Sequence, residues 1–138
     1  MRRRGSDGFS LVELMITLVI AGIILAFSFP AMAGYVRSNR LVGARNTLMT
    51  DLRLARSLAS SQRRTYQVRL AGGSYAVVCT SPAQTVVART LPRGVAFARA
   101  DSARFYAWGL TEAKVLTLNQ GARSAVVRTA ANGEVTHD

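Results

Sequence analysis

One carboxylate, Glu13, lies near the start of a long apolar run. The sequence from residue 8 reads GFSLVELMITLVIAGIIL, so Glu13 has apolar neighbours on both sides. A charged side chain at the middle of a bilayer costs about 2.5–3.5 kcal/mol on insertion scales. Such a residue is retained only where it serves a purpose, and we therefore expect the charge of Glu13 to find a partner.

The other residue types that carry out chemistry are isolated in the sequence. Cys79 is the sole cysteine, which excludes an intramolecular disulfide and a cysteine-based metal site, and its setting predicts a small buried residue in a strand. His137 is the only histidine and lies one residue from the end, so it predicts neither a metal site nor a catalytic dyad. Asp101, Glu112 and Glu134 have no sequence-local partner for acid–base work. The sequence therefore predicts no enzyme, no metal and no cofactor.

Size and charge narrow the function classes further. The chain has 138 residues, enough for one small domain beside an N-terminal segment, and a large active site does not suit it. Its 18 basic and 7 acidic residues give a formal charge of +11. This balance suits phosphate-bearing partners, anionic lipid or acidic protein surfaces.

The elements that position Glu13 begin with an apolar helix. No charged residue occurs from Leu14 to Val36, a stretch about 35 Å long as a helix, which exceeds the roughly 30 Å of a bilayer core. The basic residues 2–4 precede it and favour a cytoplasmic N-terminus. We predict a transmembrane helix over 9–36. The alternative is a secretory signal cleaved after Ala31-Met32-Ala33, against which stand Glu13 and the length of the apolar region.

A second, amphipathic part of the helix is predicted over 37–64. Apolar residues recur there at helical spacing and define one face: Leu41, Leu48, Leu52, Ala55 and Ala59. Arginines accompany them, with Asp51 as the single acid. These arginines form either a solvated face, which we favour, or a phosphate-binding stripe in which Arg37, Arg40, Arg53 and Arg56 are the candidate weak phosphate or DNA contacts.

After residue 64 the pattern alternates, as in strands. Tyr66–Leu70 and Ser74–Thr80, joined by Gly72-Gly73, predict a β-hairpin. Further strands are predicted at Thr85–Thr90, Val95–Arg99, Arg104–Trp108, Lys114–Leu118 and Ala125–Thr129. Tyr106 and Trp108 are interpreted as sheet packing rather than as a base-stacking platform. The fold class is α+β: a long N-terminal transmembrane and amphipathic helix packed on a small antiparallel β-sheet head at 65–138.

The stretch Gly8-Phe9-Ser10-Leu11-Val12-Glu13 after a basic leader resembles the leader junction of type IV pilins and type II secretion pseudopilins. The resemblance implies a leader at 1–8, cut between Gly8 and Phe9 by a prepilin peptidase, and N-methylation of Phe9. It implies that the Glu13 carboxylate meets the N-terminal amine of a neighbouring subunit, in apolar surroundings that strengthen the attraction. Pro30 falls where many members carry a helix-kinking proline.

The head, which has no cysteine pair, is most similar to the GspH/FimT group. The resemblance implies first a GspH-like minor pseudopilin, a single-pass inner-membrane protein with a periplasmic head, in a filament that exports protein cargo. The alternative is a FimT- or FimU-like minor pilin that primes type IV pilus assembly and takes part in DNA uptake. DNA-binding relatives often end in Gly-Arg-x-Arg, and here the turn reads Gly133-Glu134-Val135-Thr136. The implied partners are the peptidase, other pilins or pseudopilins and the membrane, with nucleic acid expected only under the alternative.

One feature opposes this topology. Arg37, Arg40 and Arg45 follow the apolar run and nearly balance the leader arginines. An inverted chain would lose both the peptidase site and the filament role.

Overall fold

A computed structural model of the chain describes residues 9–138, apart from the side chains of 27–33 and of residue 37. The chain divides into two compact units at residues 37 and 38. One helix, α1 (Leu11–Gln62), supplies the described part of the first unit and continues into the second. The long N-terminal helix of the predicted fold class is thereby confirmed. The predicted leader lies outside the described residues.

Within the second unit, which we call the head, α1 buries one face. All five apolar residues predicted to share that face are buried: Leu41, Leu48, Leu52, Ala55 and Ala59. Ala44, Met49 and Asp51 are buried beside them, which the pattern of large apolar residues did not indicate. The helix ends where Arg63 adopts a left-handed conformation (φ +50°) and the Arg64 amide donates to the Ala59 carbonyl at 3.2 Å.

Eight strands follow α1 and form two antiparallel four-stranded sheets. The strands are β1 (Tyr66–Ala71), β2 (Ser74–Thr80), β3 (Ala83–Thr90), β4 (Ala96–Phe97), β5 (Asp101–Phe105), β6 (Lys114–Gln120), β7 (Arg123–Thr129) and β8 (Val135–His137). The first sheet has the order β3-β2-β1-β5 and the second β4-β6-β7-β8. The α+β class and the antiparallel head are confirmed, although the head contains two sheets where the sequence predicted a single unit.

The core lies between α1 and the inner faces of both sheets. Strands β1 and β2 alternate buried and more exposed residues, as the predicted hairpin requires, and pair from Tyr66–Cys79 to Ala71–Ser74. Phe105 of β5 and Leu118 of β6 are fully buried and meet the leucines of α1 in one cluster. Cys79 is buried in β2, which confirms its interpretation as a small core residue.

The structure corrects two strand predictions and adds one strand. The strand predicted at Val95–Arg99 is reduced to Ala96–Phe97. The strand predicted at Arg104–Trp108 instead spans Asp101–Phe105, and Tyr106, Ala107 and Trp108 enter a turn. The alternating aromatic residues gave this segment the sequence pattern of a strand. In the structure, Gly109 has φ +75° and the Tyr106 amide donates to the Leu110 carbonyl at 2.9 Å, which closes a turn. The interpretation of Trp108 as sheet packing is therefore wrong. Strand β8 follows the expected Asn132-Gly133 turn and was not predicted, since only five residues remain after that turn.

Candidate functional site

The N-terminal unit presents an apolar helix with a carboxylate in its first turn. Glu13 occupies that turn, where the helix dipole favours a negative charge. The Leu14 amide donates to the Ser10 carbonyl at 3.1 Å, and Phe9, 79% exposed, precedes the helix. The large apolar side chains from Leu11 to Leu25 are exposed on every side. A helix that is apolar all round requires an apolar environment, from lipid or from other chains.

Glu13 has no cation of its own chain beside it within the described residues. The ion pairs found there all lie in the head. Gly8 lies outside the described residues, and so do the side chains of Pro30 and Arg37, although residue 30 is helical in its backbone. Among the described residues, no helix combines the length and apolar character that a membrane crossing requires. The transmembrane assignment of 9–36 stays a prediction.

Two of the candidate phosphate-binding arginines are used inside the head. Arg53 donates from Nη2 to the Val135 carbonyl at 3.3 Å, and Arg56 donates from Nη2 to the Asn132 carbonyl at 2.9 Å. These bonds tie α1 to the first residue of β8 and to the turn before it. Arg40 is exposed on α1 and lines a shallow groove together with Arg89. The assignment of the four arginines as weak phosphate or DNA contacts stays a prediction.

A buried polar cluster, which the sequence did not predict, joins α1 to the first sheet. Asp51 of α1 is only 2% exposed and accepts hydrogen bonds from the Tyr75 hydroxyl and from Arg89 Nε, each at 2.6 Å. Arg89 also donates from Nη2 to the second carboxylate oxygen at 3.4 Å. One sequence signal could have indicated this cluster. Asp51 is the single acid among the helix arginines and lies between Leu48 and Leu52, which belong to the apolar face.

The electrostatics of this cluster follow from burial. Burial and then the hydrogen bond to Asp51 raise the pKa of Tyr75 well above its usual value, so its hydroxyl remains a donor. The hydrogen bond to Asp51 and the charge of Asp51 raise the pKa of Arg89. A carboxylate with a tyrosine and an arginine as partners is neutralised and satisfied, which is typical of a structural tie rather than of a catalytic base.

A second acidic residue that seemed isolated in the sequence also has partners. Asp101 accepts a hydrogen bond from Lys114 Nζ at 2.6 Å and one from the Ser102 amide at 2.7 Å, and Arg99 lies 3.6 Å away. The hydrogen bond from Lys114 is the main cause that lowers the pKa of Asp101. Among residues 9–138, no group of acidic, histidine or cysteine side chains has the arrangement of a metal site.

Comparison with known proteins agrees with the N-terminal motif and with the head fold. Residues 3–29 match the prokaryotic N-terminal methylation motif. The fold is similar to that of the type IV minor pilin FimU of Pseudomonas aeruginosa, with a TM-score of 0.63 and 20% identity over 75% of this chain and 92% of the FimU chain in its crystal structure. No curated protein matches the chain in sequence.

Proposed function

We propose that this type IV pilin-like chain is a structural minor subunit of a filament that is assembled at the inner membrane. One observation carries the proposal: an apolar helix, exposed on all sides, holds a carboxylate in its first turn without a described cation beside it. Such a helix is suited to lipid before assembly and to the helices of neighbouring subunits after it. The partners of the chain are then a prepilin peptidase and other pilins or pseudopilins.

The proposed mechanism joins processing to assembly. Cleavage after Gly8 creates a new N-terminal amine on Phe9, which is then methylated and stays cationic. Glu13 of an incoming subunit pairs with that amine of a subunit already in the filament, in surroundings of low dielectric. An unpaired carboxylate costs free energy there, and pairing offsets much of that cost, so the pair favours correctly staggered subunits over misaligned ones.

The proposed topology follows the positive charge at the N-terminus. With arginines at 2–4 retained in the cytoplasm, residues 9–36 cross the inner membrane and the head is periplasmic. In this orientation Pro30 bends the helix near its exit from the membrane. Arg53 and Arg56 each donate a hydrogen bond to a carbonyl of the head, which supports a role in holding α1 on the second sheet, and the head is proposed as a protein-binding module and not an enzyme.

Two filament systems fit this role, and we rank the type II secretion pseudopilus first. The turn at Gly133 carries Glu134 where DNA-binding relatives have arginine, and Arg128 is engaged by Asp138 at 2.6 and 2.9 Å, which disfavours DNA uptake. The second candidate is a minor subunit of a type IV pilus. It is favoured by the fold match to FimU, which extends over 92% of the FimU chain in its crystal structure.

The test compares matched variants of the full-length chain in its own host. Mass spectrometry should find a mature protein that begins at N-methyl-Phe9, and a Gly8→Val variant should stay unprocessed. Glu13→Ala should insert and be processed but be depleted from sheared filaments. Thr17→Ala, one turn further along the same face, removes only a hydroxyl that donates to the Leu14 carbonyl, so it should assemble normally.

A deletion of the gene in the same host distinguishes the two filament systems. Deletion of the gene should reduce protein secretion and leave twitching motility and DNA uptake intact if the pseudopilus ranking is right, and the reverse pattern would favour the type IV pilus. An N-terminus at residue 34 would contradict the whole proposal, because it would mean that an ordinary signal peptidase removes the apolar segment. A Glu13→Ala variant that fails to insert, rather than to assemble, would contradict the role given to the carboxylate.

A further inference from the structure

The loop between β5 and β6 presents exposed aromatic side chains on the head. Trp108 is 83% exposed and Leu110 50%, which makes them the two most exposed large apolar side chains between residues 38 and 138. Tyr106 adds a partly exposed ring. We call Tyr106–Leu110 the aromatic loop. Exposure of a tryptophan to this extent, next to further apolar surface, commonly marks a binding site.

The aromatic loop is held in one conformation by its own hydrogen bonds. The Gly109 amide donates to the Tyr106 carbonyl at 2.8 Å, and the Tyr106 amide donates to the Leu110 carbonyl at 2.9 Å. At its base, Thr111 donates from its amide to the Ala131 carbonyl at 3.2 Å. Trp108 is therefore presented on a preorganised turn, and little conformational entropy is lost when it docks.

The surroundings of the loop indicate a protein partner. Arg56 lies beside it, since a Cβ atom on Gly109 would be 3.6 Å from Arg56 Nε. Glu112 accepts a hydrogen bond from the Tyr106 hydroxyl at 3.3 Å, and Glu134 belongs to the turn that abuts Gly109. An apolar centre with a rim of both charges is typical of protein interfaces, and the two carboxylates repel a nucleic-acid backbone or an anionic lipid surface.

The size of the loop indicates how the partner is held. One aromatic anchor buries roughly 150–250 Å², whereas a specific free-standing interface buries about 1,200–2,000 Å² in total. The loop cannot hold a partner unaided, so a second interface must keep that partner close. The apolar surface of α1 from Leu11 to Leu25 is such an interface, and neighbours joined through it have an effective concentration in the millimolar range.

We propose that the aromatic loop docks into an apolar pocket on the head of a neighbouring subunit in the same filament, with Trp108 as its anchor. This inference rests on the filament function proposed above. Trp, Tyr and Arg are the residue types enriched among the few side chains that carry most of the binding energy of an interface, and the loop and its flank supply all three.

The test places a photo-crosslinking benzophenone side chain at position 108 of the full-length chain in living cells. The matched control carries the same side chain at Val86, an exposed residue on β3. We expect a crosslink from position 108 to the head of a filament subunit, at least tenfold above that from position 86. In a competition in which wild-type and variant chains are co-expressed, Trp108→Ala should be recovered from sheared filaments at least tenfold less than Trp108→Phe, with both chains processed and folded.

The outcomes separate this inference from the filament proposal. Normal incorporation of the chain together with no crosslink at 108, or with a crosslink to nucleic acid, lipid or a protein outside the filament, would overturn the inference and leave the filament function standing. A head-to-head crosslink that persists when Gly8→Val blocks processing would also overturn the inference, because the docking would then occur outside the filament. Equal recovery of Trp108→Ala and Trp108→Phe would deny Trp108 its role as the anchor.

Discussion

Tyr75→Phe tests whether the buried carboxylate of Asp51 stabilises the head through its hydrogen bonds. The substitution removes one hydroxyl and keeps the ring, which also contacts Phe97 edge-on at a centroid distance of 6.1 Å. The lost hydrogen bond, at 2.6 Å, has an ionised acceptor that is itself buried. Hydrogen bonds to charged groups contribute about 1.5–3 kcal/mol to stability, and we expect the variant to lose an amount in this range.

A second buried tyrosine provides the matched control. The Tyr66 hydroxyl donates at 2.7 Å to Gln62 Oε1, a neutral acceptor, and Tyr66 is a buried residue, although this hydrogen bond lies nearer the surface than that of Tyr75. A neutral hydrogen bond contributes about 0.5–1.5 kcal/mol, so Tyr66→Phe should cost roughly half as much as Tyr75→Phe. The comparison removes the common effect of deleting a hydroxyl from a buried ring.

The lone thiol provides the assay. Cys79 is buried in β2, so a thiol reagent labels it only when the head opens. In full-length protein in detergent, Tyr75→Phe should raise the labelling rate roughly 10- to 100-fold, at 1.4 kcal/mol for each factor of ten. If Tyr75→Phe accelerated labelling no more than Tyr66→Phe does, the charge of Asp51 would contribute nothing through this bond. The effect of Tyr75→Phe should also shrink in an Asp51→Asn background, because the acceptor is then neutral.

Two further substitutions test other contacts of the head. Lys114→Met removes the hydrogen bond that is the main cause of the lowered pKa of Asp101. A carboxyl group whose pKa is lowered in the folded state stabilises the fold at pH values above its ordinary pKa near 4, and that stabilisation is lost as the pH falls. The urea midpoint of the variant should therefore fall less between pH 6 and pH 3 than that of the wild type. Gly133→Ala should lower the free energy of opening of the head, measured by Cys79 labelling, by about 2–4 kcal/mol, because φ is +83° and the new Cβ would clash with the Gly109 carbonyl oxygen. The control is Gly121→Ala, at φ +60° with open space around it, which should cost about 1–2 kcal/mol. Equal costs would refute the steric argument.

Local signals predicted much of the architecture. The spacing of Leu41, Leu48 and Leu52 identified the buried face of α1, and Gly72-Gly73 identified the first hairpin, because both depend on nearest neighbours along the chain. The aromatic loop was not predicted, because alternation of aromatic residues alone does not distinguish a strand from a turn that exposes its aromatic side chains. The division of the strands into two sheets was not predicted either, because strand order is set by contacts between segments that are distant in the sequence.

The candidate sites divide in the same way. The motif around Glu13 is contiguous in sequence and was recognised from it, although its pairing with another subunit remains a prediction. The cluster of Asp51, Tyr75 and Arg89 joins residues of three elements. Tyr75 lies 24 residues and Arg89 lies 38 residues after Asp51 in the sequence. No local pattern encodes such a pairing, and only the antiparallel register of β2 and β3, which places Tyr75 opposite Arg89, brings the three together.

Polar contacts attach α1 to both sheets of the head. Asp51 binds partners on β2 and β3 of the first sheet, and Arg53 and Arg56 bind carbonyls at and before β8 of the second. Apolar packing is non-directional and tolerates small sliding of a helix, whereas a hydrogen bond weakens steeply as its angle changes. These contacts therefore fix the rotation and register of residues 51–56 against the two sheets, so that a force applied along this part of α1 in the proposed filament would move the sheets with it.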